Sequence, residues 1–384
     1  MSYDALIIGG GPAGLFAARR IAEAGFSVVV CEDHDTIGNP VHCTGVLSAA
    51  AFDEFDLPRN TILNPLTTVR LISPNGLQVR YSPARLEAVV IDRGAFDRSL
   101  AAKAVAAGAE IRLGARIQSL SVTSTGVVAS THGVELRARL VVLAAGASYV
   151  FHRRVGLGLP RAHLHTAQRE LAAESVGDVE LHFGRAVAPG GFAWAVPIQR
   201  PDGLRVRVGV MATHAVPDWY EAMLARLKPR WAISADAERP RLKFLPLRSI
   251  QRTYGDRLLV VGDAAGLVKP TTGGGIYYSV LSADIASRVA TRALAANQLS
   301  ASDLKPYETQ WRRRLAREFH AQWALRHLAQ RMNDRQIDAL FDLALTDGVM
   351  PIVERTATFN HHRPLIQALL RHAPARRILW PARS

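Results

Sequence analysis

Cysteine is nearly absent: Cys31 and Cys43 are the only two in 384 residues. That excludes a disulfide framework, leaves no second cysteine pair for zinc, and predicts a reducing compartment. No run of about 18 apolar residues occurs, so no transmembrane helix is expected. No basic and apolar leader precedes the first predicted strand, so a cytoplasmic location is expected and a secretory signal is not. Low-complexity segments, long linkers and internal repeats are also missing. Acidic charge is in deficit, 33 Asp+Glu against 47 Lys+Arg, for a net charge of +14. The arginines gather late, at Arg312, Arg313, Arg314, Arg317, Arg326, Arg331, Arg335, Arg371, Arg376, Arg377 and Arg383. Such a balance suits an anionic lipid surface, a phosphorylated substrate or nucleic acid, or simply a solvated basic face. Aromatic residues do not alternate with the basic ones as on a base-stacking platform, so no nucleic-acid partner is expected. His163-x-His165 and His361-His362 have no clustered acid or cysteine to complete a ligand set, so no metal is expected.

Glycine, by contrast, is concentrated where it carries information. Tyr3 to Ile8 reads as a short apolar strand, and Gly9-x-Gly11-x-x-Gly14 follows at once. Leu15 to Ala24 is predicted helical, with Ala17, Ala18, Ile21 and Ala22 facing a sheet. Gly25 ends that helix, Phe26 to Cys31 is a second apolar strand, and Glu32 closes it. Strand, glycine turn, helix, strand and acid in that order form a dinucleotide-binding unit. Gly9 permits the tight turn, Gly11 lets the backbone approach a pyrophosphate, and Gly14 lets the helix pack close. The helix N-terminus supplies free N–H groups and the positive end of the dipole. Glu32 can accept bonds from ribose hydroxyls, and its charge disfavours a 2′-phosphate. The unit therefore suits FAD or NAD rather than NADP.

A second glycine segment lies beyond residue 260. Arg257 to Val261 is a predicted strand ending in Gly262-Asp263-Ala264-Ala265-Gly266, with Pro270 and Gly273-Gly274-Gly275-Ile276 after it. Strand ends are where an open α/β sheet binds its ligand. Asp263 can accept hydrogen bonds from ribityl hydroxyls. The glycines open a predicted helix from Ile276 to Ala295, whose N-terminus can aim N–H groups at a flavin's pyrimidine edge. That placement favours the reduced cofactor, whose edge is anionic. The two segments together point to one FAD per chain.

The fold class predicted is α/β, with a Rossmann-like FAD-binding domain interlocked with a mixed β-sheet substrate domain and a helical C-terminal tail. The FAD-binding domain is assigned to 1–60, 93–160 and 250–300, the substrate sheet to 61–92 and 161–249, and the tail to 301–384. Ala95 to Ala107 is a predicted helix; Glu110 to Leu113, Arg116 to Val122 and Leu140 to Leu143 are predicted strands of the first sheet. Val69 to Ser73, Glu180 to Phe183 and Leu204 to Met211 are predicted strands of the second. In the tail, Tyr307, Trp311, Leu315, Phe319 and Trp323 recur every four residues, extended by Leu325, Leu328 and Met332. This stripe fits either core packing or a face laid on lipid or a partner. Pro351, Pro364, Pro374 and Pro381 divide the last part into short pieces.

Two further segments narrow the family. Gly38-Asn39-Pro40-Val41-His42-Cys43-Thr44-Gly45-Val46-Leu47-Ser48 resembles the Pro-Val-x-Cys stretch of geranylgeranyl reductases. Pro189-Gly190-Gly191-Phe192-Ala193-Trp194-Ala195-Val196-Pro197 resembles their Tyr-x-Trp-x-Phe-Pro segment, and Ile91 to Asp97 resembles their arginine-containing helix start. The resemblance covers about residues 1–300 and implies reduction of isolated C=C bonds in prenyl chains by reduced FAD. It implies that Ala13, Glu32, Cys43, Thr44, Arg93, Ile117, Asp263, Gly275 and Ile276 contact FAD. It further implies that Trp194 and Pro197 line a prenyl channel, with Phe192 and Val196 beside them. Phe192 and Val196 depart from the family's usual Tyr and Phe, His42 stands where Arg is frequent, and Ala145 stands where the wider superfamily has the Asp of an Asp-Gly pair.

Cys43 is the candidate catalytic residue, placed to shape proton delivery beside the flavin. A thiol with an ordinary pKa of about 8.5 is a feeble acid, and a small buried hydrophobe is the competing role. Trp194 is a candidate pocket wall or a core aromatic. The function expected is saturation of C=C bonds in a geranylgeranyl or other isoprenoid lipid. The alternatives are a flavin-dependent monooxygenase or halogenase acting on an aromatic or polyketide, and a non-enzymatic flavoprotein that binds lipid or a protein partner. NAD(P)H or reduced ferredoxin is the expected electron donor. Peripheral attachment to the inner face of an anionic membrane is expected from the basic tail.

Overall fold

Ala5 to Ile8 are buried without interruption, as a strand covered on both faces must be. This first strand, Ser2–Ile8, pairs in parallel with Val28–Cys31 on one side and with Val134–Leu143 on the other. Glu110–Arg112 extends the sheet beyond Val28–Cys31, and Leu258–Val260 extends it beyond Val134–Leu143. Tyr254–Gly255 forms one edge, and the hairpin Ser119–Val122 with Val127–Thr131 joins antiparallel to Val134–Leu143, making eight strands. The computed structural model describes residues 2–234, 238–346 and 348–379. Pro381 and Arg383 lie outside the described residues.

Helix Pro12–Glu23 packs between helices Arg93–Ala106 and Ile276–Ala296. It starts three residues before the predicted Leu15, because Pro12 occupies a first-turn position where a missing N–H costs nothing. Strand Val134–Leu143 reaches six residues further back than predicted. Its early part alternates exposed and buried, because only one face of the hairpin there is covered.

A second sheet of seven strands runs in the order Arg241–Pro246, His163–Ala172, Gly203–Ala212, Phe192–Arg200, Val179–His182, Val69–Ile72 and Gln78–Tyr81. Its outer face buries Ala193, Ala195, Val206, Val208 and Val210 against helix Val216–Trp231. The opposite face carries Trp194, Val196, Met211 and Leu245 and looks toward the first sheet. Val46–Ser48, Ala88–Ile91 and Ile62–Leu66 form a third sheet of three strands.

The tail is helical: Ala301–Arg331, Asp334–Thr346, Val349–Thr356, Arg363–Arg371 and Ala373–Leu379. Pro351, Pro364 and Pro374 fall in the first turns of the last three, so the last part is divided into short helices as expected. The 31-residue helix Ala301–Arg331 opens on a capping box between Ser300 and Asp303. Its stripe divides in two. Tyr307, Trp311 and Leu315 are buried on the first sheet, with the Tyr307 hydroxyl donating to Val260 O at 2.6 Å and the Trp311 indole donating to Thr253 Oγ1 at 2.9 Å. Beyond Leu315 the buried positions become Glu318, Gln322 and Arg326, while Phe319 and Trp323 are only half-buried. No helix among the described residues is long and apolar enough to cross a membrane.

Candidate active site: a cleft between the two sheets

The glycine turn is built by close approach. Gly9 has φ +109°, and a Cβ there would sit 2.5 Å from Ala144 O. A Cβ on Gly14 would sit 2.0 Å from Gly9 O, so any side chain would push the helix off the strand. Gly11 faces open space, as a residue must where a phosphate is to approach the backbone. The Gly10 N–H donates to Glu32 Oε2 at 2.6 Å, which fixes the carboxylate at the end of its strand. Glu32 Oε1 accepts from the His34 N–H at 3.2 Å and meets the His34 ring, whose pKa it raises.

A cavity of about 780 Å³ runs from this turn to the second glycine segment. Its wall includes Gly9, Gly11, Ala13, Glu32, Cys43, Thr44, Arg93, Ile117, Asp263, Gly275 and Ile276 from the expected cofactor set, and Phe192, Trp194 and Val196 from the expected substrate set. Gly14 lies behind the turn it shapes. Pro197 is off the wall, because a strand alternates its faces and Pro197 has the opposite parity to Trp194 and Val196. Its carbonyl instead accepts from Asn64 Nδ2 at 3.4 Å.

Cys43 and Thr44 are held by a polar clamp from the second sheet. Arg207, 2% exposed, donates to Thr44 O at 2.5 Å and Ile91 O at 3.1 Å, and pairs with Glu170 at 2.9 Å. The Thr44 hydroxyl donates to Gln168 Oε1 at 2.6 Å. Burial opposes ionisation of Glu170, but Arg200 and Arg207 hold its carboxyl below the usual range. The Gly45 N–H donates to Cys43 Sγ at 3.3 Å. Arg93 pairs with Asp97 at 2.6 Å; burial opposes its charge, but Asp97 and the Cys43 sulfur hold the guanidinium protonated.

At the other end, Gly275 is the N-cap of helix Ile276–Ala296, and a Cβ there would meet Asp263 Oδ1 at 2.8 Å. Asp263 Oδ2 pairs with Lys243 Nζ at 3.2 Å, and the Asp263 carbonyl accepts from the Tyr149 hydroxyl at 2.9 Å. The Thr271 hydroxyl donates to Gln322 Oε1 at 3.0 Å, and Arg326 donates to Pro270 O at 3.1 Å and to Gly190 O. Arg326 thus fastens the flavin-side loop to the loop that starts the Trp194 strand. Lys269 and His362 also line the cavity. Sequence reasoning missed Gln168, Arg207, Lys269, Glu318, Gln322 and Arg326, which have no motif. Only the alternation of Arg205-Val206-Arg207-Val208 hinted that Arg207 faces inward opposite the helix-covered valines.

His163 and His165 pack edge to face, with His163 stacked on Phe244. Among the described residues, the Glu32, Asp33 and His34 side chains are close enough to share a cation, but Glu32 is committed to Gly10 N–H.

The residues fit FAD at both ends: open space at Gly11, a fixed acid at Glu32, and a helix N-terminus with no side-chain cap beside Asp263. The fold and this cleft define an FAD-dependent oxidoreductase. Residues 3–175 match the family of pyridine nucleotide-disulphide oxidoreductases. In overall structure the chain is similar to a geranylgeranyl bacteriochlorophyll reductase-like protein from Thermoplasma acidophilum, with TM-score 0.85, 23% identity and 97% of each chain covered. It is also similar to the halogenase PltM, solved with phloroglucinol and FAD, at TM-score 0.69 and 16% identity, covering 100% of this chain and 93% of that one. These two likenesses show the fold. In sequence, the chain is 32% identical to the digeranylgeranylglycerophospholipid reductase of Methanoculleus marisnigri over 81% of this chain and 82% of that protein. It is 30% identical to digeranylgeranylglycerophospholipid reductase 2 of Methanopyrus kandleri over 92% of this chain and 93% of that protein. The chain belongs to the digeranylgeranylglycerophospholipid reductase family.

Proposed function

We propose that this protein saturates C=C bonds in the geranylgeranyl chains of a digeranylgeranylglycerophospholipid or a close isoprenoid relative. The observation that carries this reading is the continuity of one cavity. Its cofactor end, at Glu32 and Asp263, opens directly on an apolar chamber walled by Phe192, Trp194, Val196, Met211 and Leu245. A long hydrocarbon buries its surface against these apolar side chains, which is favourable by about 25 cal/mol per Å². Reduced FAD, when bound, supplies a hydride to one alkene carbon. The chain's own groups orient the alkene, exclude water and hold a proton for the other carbon. Gly9, Gly11, Ala13 and Glu32 take the pyrophosphate and ribose, with Gly14 letting the helix pack close behind the turn. Thr44, Arg93, Ile117, Asp263, Gly275 and Ile276 take the flavin and its ribityl chain. Cys43, beside Arg93, is the candidate for proton delivery, and Pro197 supports the wall from behind.

We assign the electron supply to NAD(P)H or reduced ferredoxin, to be told apart by which donor bleaches the bound flavin. The same reading keeps the division into an FAD-binding domain (1–60, 93–160 and 250–300), a substrate sheet (61–92 and 161–249) and a helical tail (301–384), with the basic tail resting on an anionic membrane. The test is anaerobic incubation of the dithionite-reduced protein with a geranylgeranyl lipid, followed by mass spectrometry. The expected product gains two hydrogens per bond and no oxygen. A product that forms only with oxygen present and carries an oxygen atom would replace this reading with a monooxygenase.

A further inference from the structure

Among the described residues Lys269 is the one buried lysine, 2% exposed, and it lines the cavity. It stands in the loop between Asp263 and Gly275. Its backbone closes the glycine run: the Lys269 N–H donates to Gly274 O at 3.1 Å, and the Gly273 N–H donates to Lys269 O at 2.8 Å. The side-chain stem passes beside Gly274, where a Cβ would meet its Cδ at 3.5 Å and its Cε at 3.9 Å. The amine lies 3.9 Å from the centre of the Phe359 ring and donates to Phe359 O. That carbonyl is its one hydrogen-bond acceptor among the described residues, whereas an ammonium carries three donors.

Among the described residues no carboxylate makes an ion pair with Lys269, although the charge of buried Glu318 is felt there. Glu318, from helix Ala301–Arg331, accepts from the His362 and Arg363 N–H groups and from Gln322. Asp263 is paired with Lys243. The other titratable groups nearby are Tyr278, whose hydroxyl donates to Asn360 O, and His361 and His362. Burial pushes the Lys269 amine down to about 7, with Glu318 opposing. Glu318 and the Phe359 ring offset only part of the cost of burying this charge, so negative charge arriving in the cavity would favour the ammonium.

We propose that Lys269 is the cation the cavity presents to reduced, anionic FAD, and that it gains a proton as the cofactor gains electrons. The inference rests on the FAD-binding reading above. Two electrons and one proton convert oxidised FAD to its anionic reduced form. Lys269 takes one further proton from solvent, –NH2 becoming –NH3+. The loaded protein therefore takes up two protons for two electrons over the pH range in which the lysine titrates. Below that range the lysine is protonated in both states and takes up nothing.

The test is a dithionite titration of the FAD-loaded full chain against a redox dye, from pH 7 to 9, as wild type, Lys269→Met and Lys269→Arg. One proton per two electrons moves the midpoint by about 30 mV per tenfold change in proton activity, and two protons by about 59 mV. The wild type is expected to show the steeper slope just above pH 7 and Lys269→Met the shallower one. Lys269→Arg, always charged, should show the shallow slope at a midpoint above that of Lys269→Met. If Lys269→Met fails to fold, the contrast in slope between wild type and Lys269→Arg still decides. A shallow wild-type slope, or a Lys269→Arg midpoint no higher than that of Lys269→Met, overturns the proposal. A chain that takes up no FAD overturns it together with the flavoprotein reading. A lysine-dependent slope in a protein that reduces no prenyl bond upholds it and sinks only the substrate reading.

Discussion

Trp194 and Gly209 face each other across neighbouring strands, and the indole lies flat where Gly209 has no side chain. A Cβ at residue 209 would sit 2.2 Å from Trp194 Cζ2, 2.4 Å from Cε2 and 2.8 Å from Nε1. Gly209 is not in the left-handed region, so the conflict in Gly209→Ala is purely steric. Carbon atoms in contact need about 3.5 Å, so the ring must move by more than about 1 Å. If it stays in the sheet, overpacking costs about 1–3 kcal/mol. If it swings into the cavity, it narrows the channel at the proposed alkene position, and misplacement of that size costs about a hundredfold in rate. The cofactor end is untouched, so flavin content should stay at the wild-type level. The assays are Tm, flavin absorbance and anaerobic turnover of a geranylgeranyl lipid. Gly126→Ala is the control, because its Cβ would meet nothing nearer than Ala138 O at 3.5 Å. If Gly209→Ala matches wild type in both Tm and turnover, Trp194 is not a rigid wall.

Trp194→Ala should lose prenyl turnover by a similar factor while retaining FAD, read from product mass and flavin absorbance. Asp263→Ala should weaken FAD retention by about 1.5–3 kcal/mol, the range for a hydrogen bond to a charged group, measured by flavin release on dilution; unchanged retention would remove Asp263 from the cofactor site. His362 lines the cavity and its Nδ1 meets Thr271 Oγ1 at 2.8 Å; burial, with Lys269 nearby, pushes its pKa down to about 3. The unfolded chain therefore gains a proton below about pH 6.5 that the folded chain refuses, and stability should fall there by up to about 1.4 kcal/mol per pH unit. Urea midpoints between pH 7 and 5 check this, and His362→Gln should flatten the decline. Flotation with anionic liposomes at low salt should recover the protein and lose it as salt rises; equal recovery with neutral vesicles would leave the basic tail without a membrane role.

The strand, glycine turn and helix at the start of the chain were legible because each glycine there answers a separate demand. Gly9, Gly11 and Gly14 differ in what a Cβ would meet, and a strand, helix and strand flank them. The broad α/β class and the helical tail were legible from apolar runs and from the four-residue repeat at Tyr307, Trp311 and Leu315. That repeat then misleads past Leu315. Glu318, Gln322 and Arg326 share a four-residue spacing and look like the wet side of a helix, yet they are buried: Gln322 and Arg326 bond Thr271 and Pro270 of the flavin-side loop, and Glu318 accepts from the His362 and Arg363 N–H groups. Lys269 was illegible for the same reason: a lone loop lysine gives no sign of burial until the tail folds over it. The opposite facing of Trp194 and Pro197 is a different case. Three residues apart in a strand, they cannot share a face, and strand parity alone contains that information.

The first sheet is assembled from Ser2–Ile8, Val134–Leu143 and Leu258–Val260 side by side, and its first helix packs on Ile276–Ala296. On the ribosome these pieces emerge far apart in time. At about 5–20 residues per second, the phosphate-binding turn waits roughly 13–50 s before its partner helix is made. During that interval the nascent chain exposes an apolar strand edge with no neighbour to cover it. Flavin loading is therefore expected late in synthesis, once the sheet and its partner helix are complete. Starving cells of riboflavin should lower the amount of this protein before it lowers the activity of each molecule that survives.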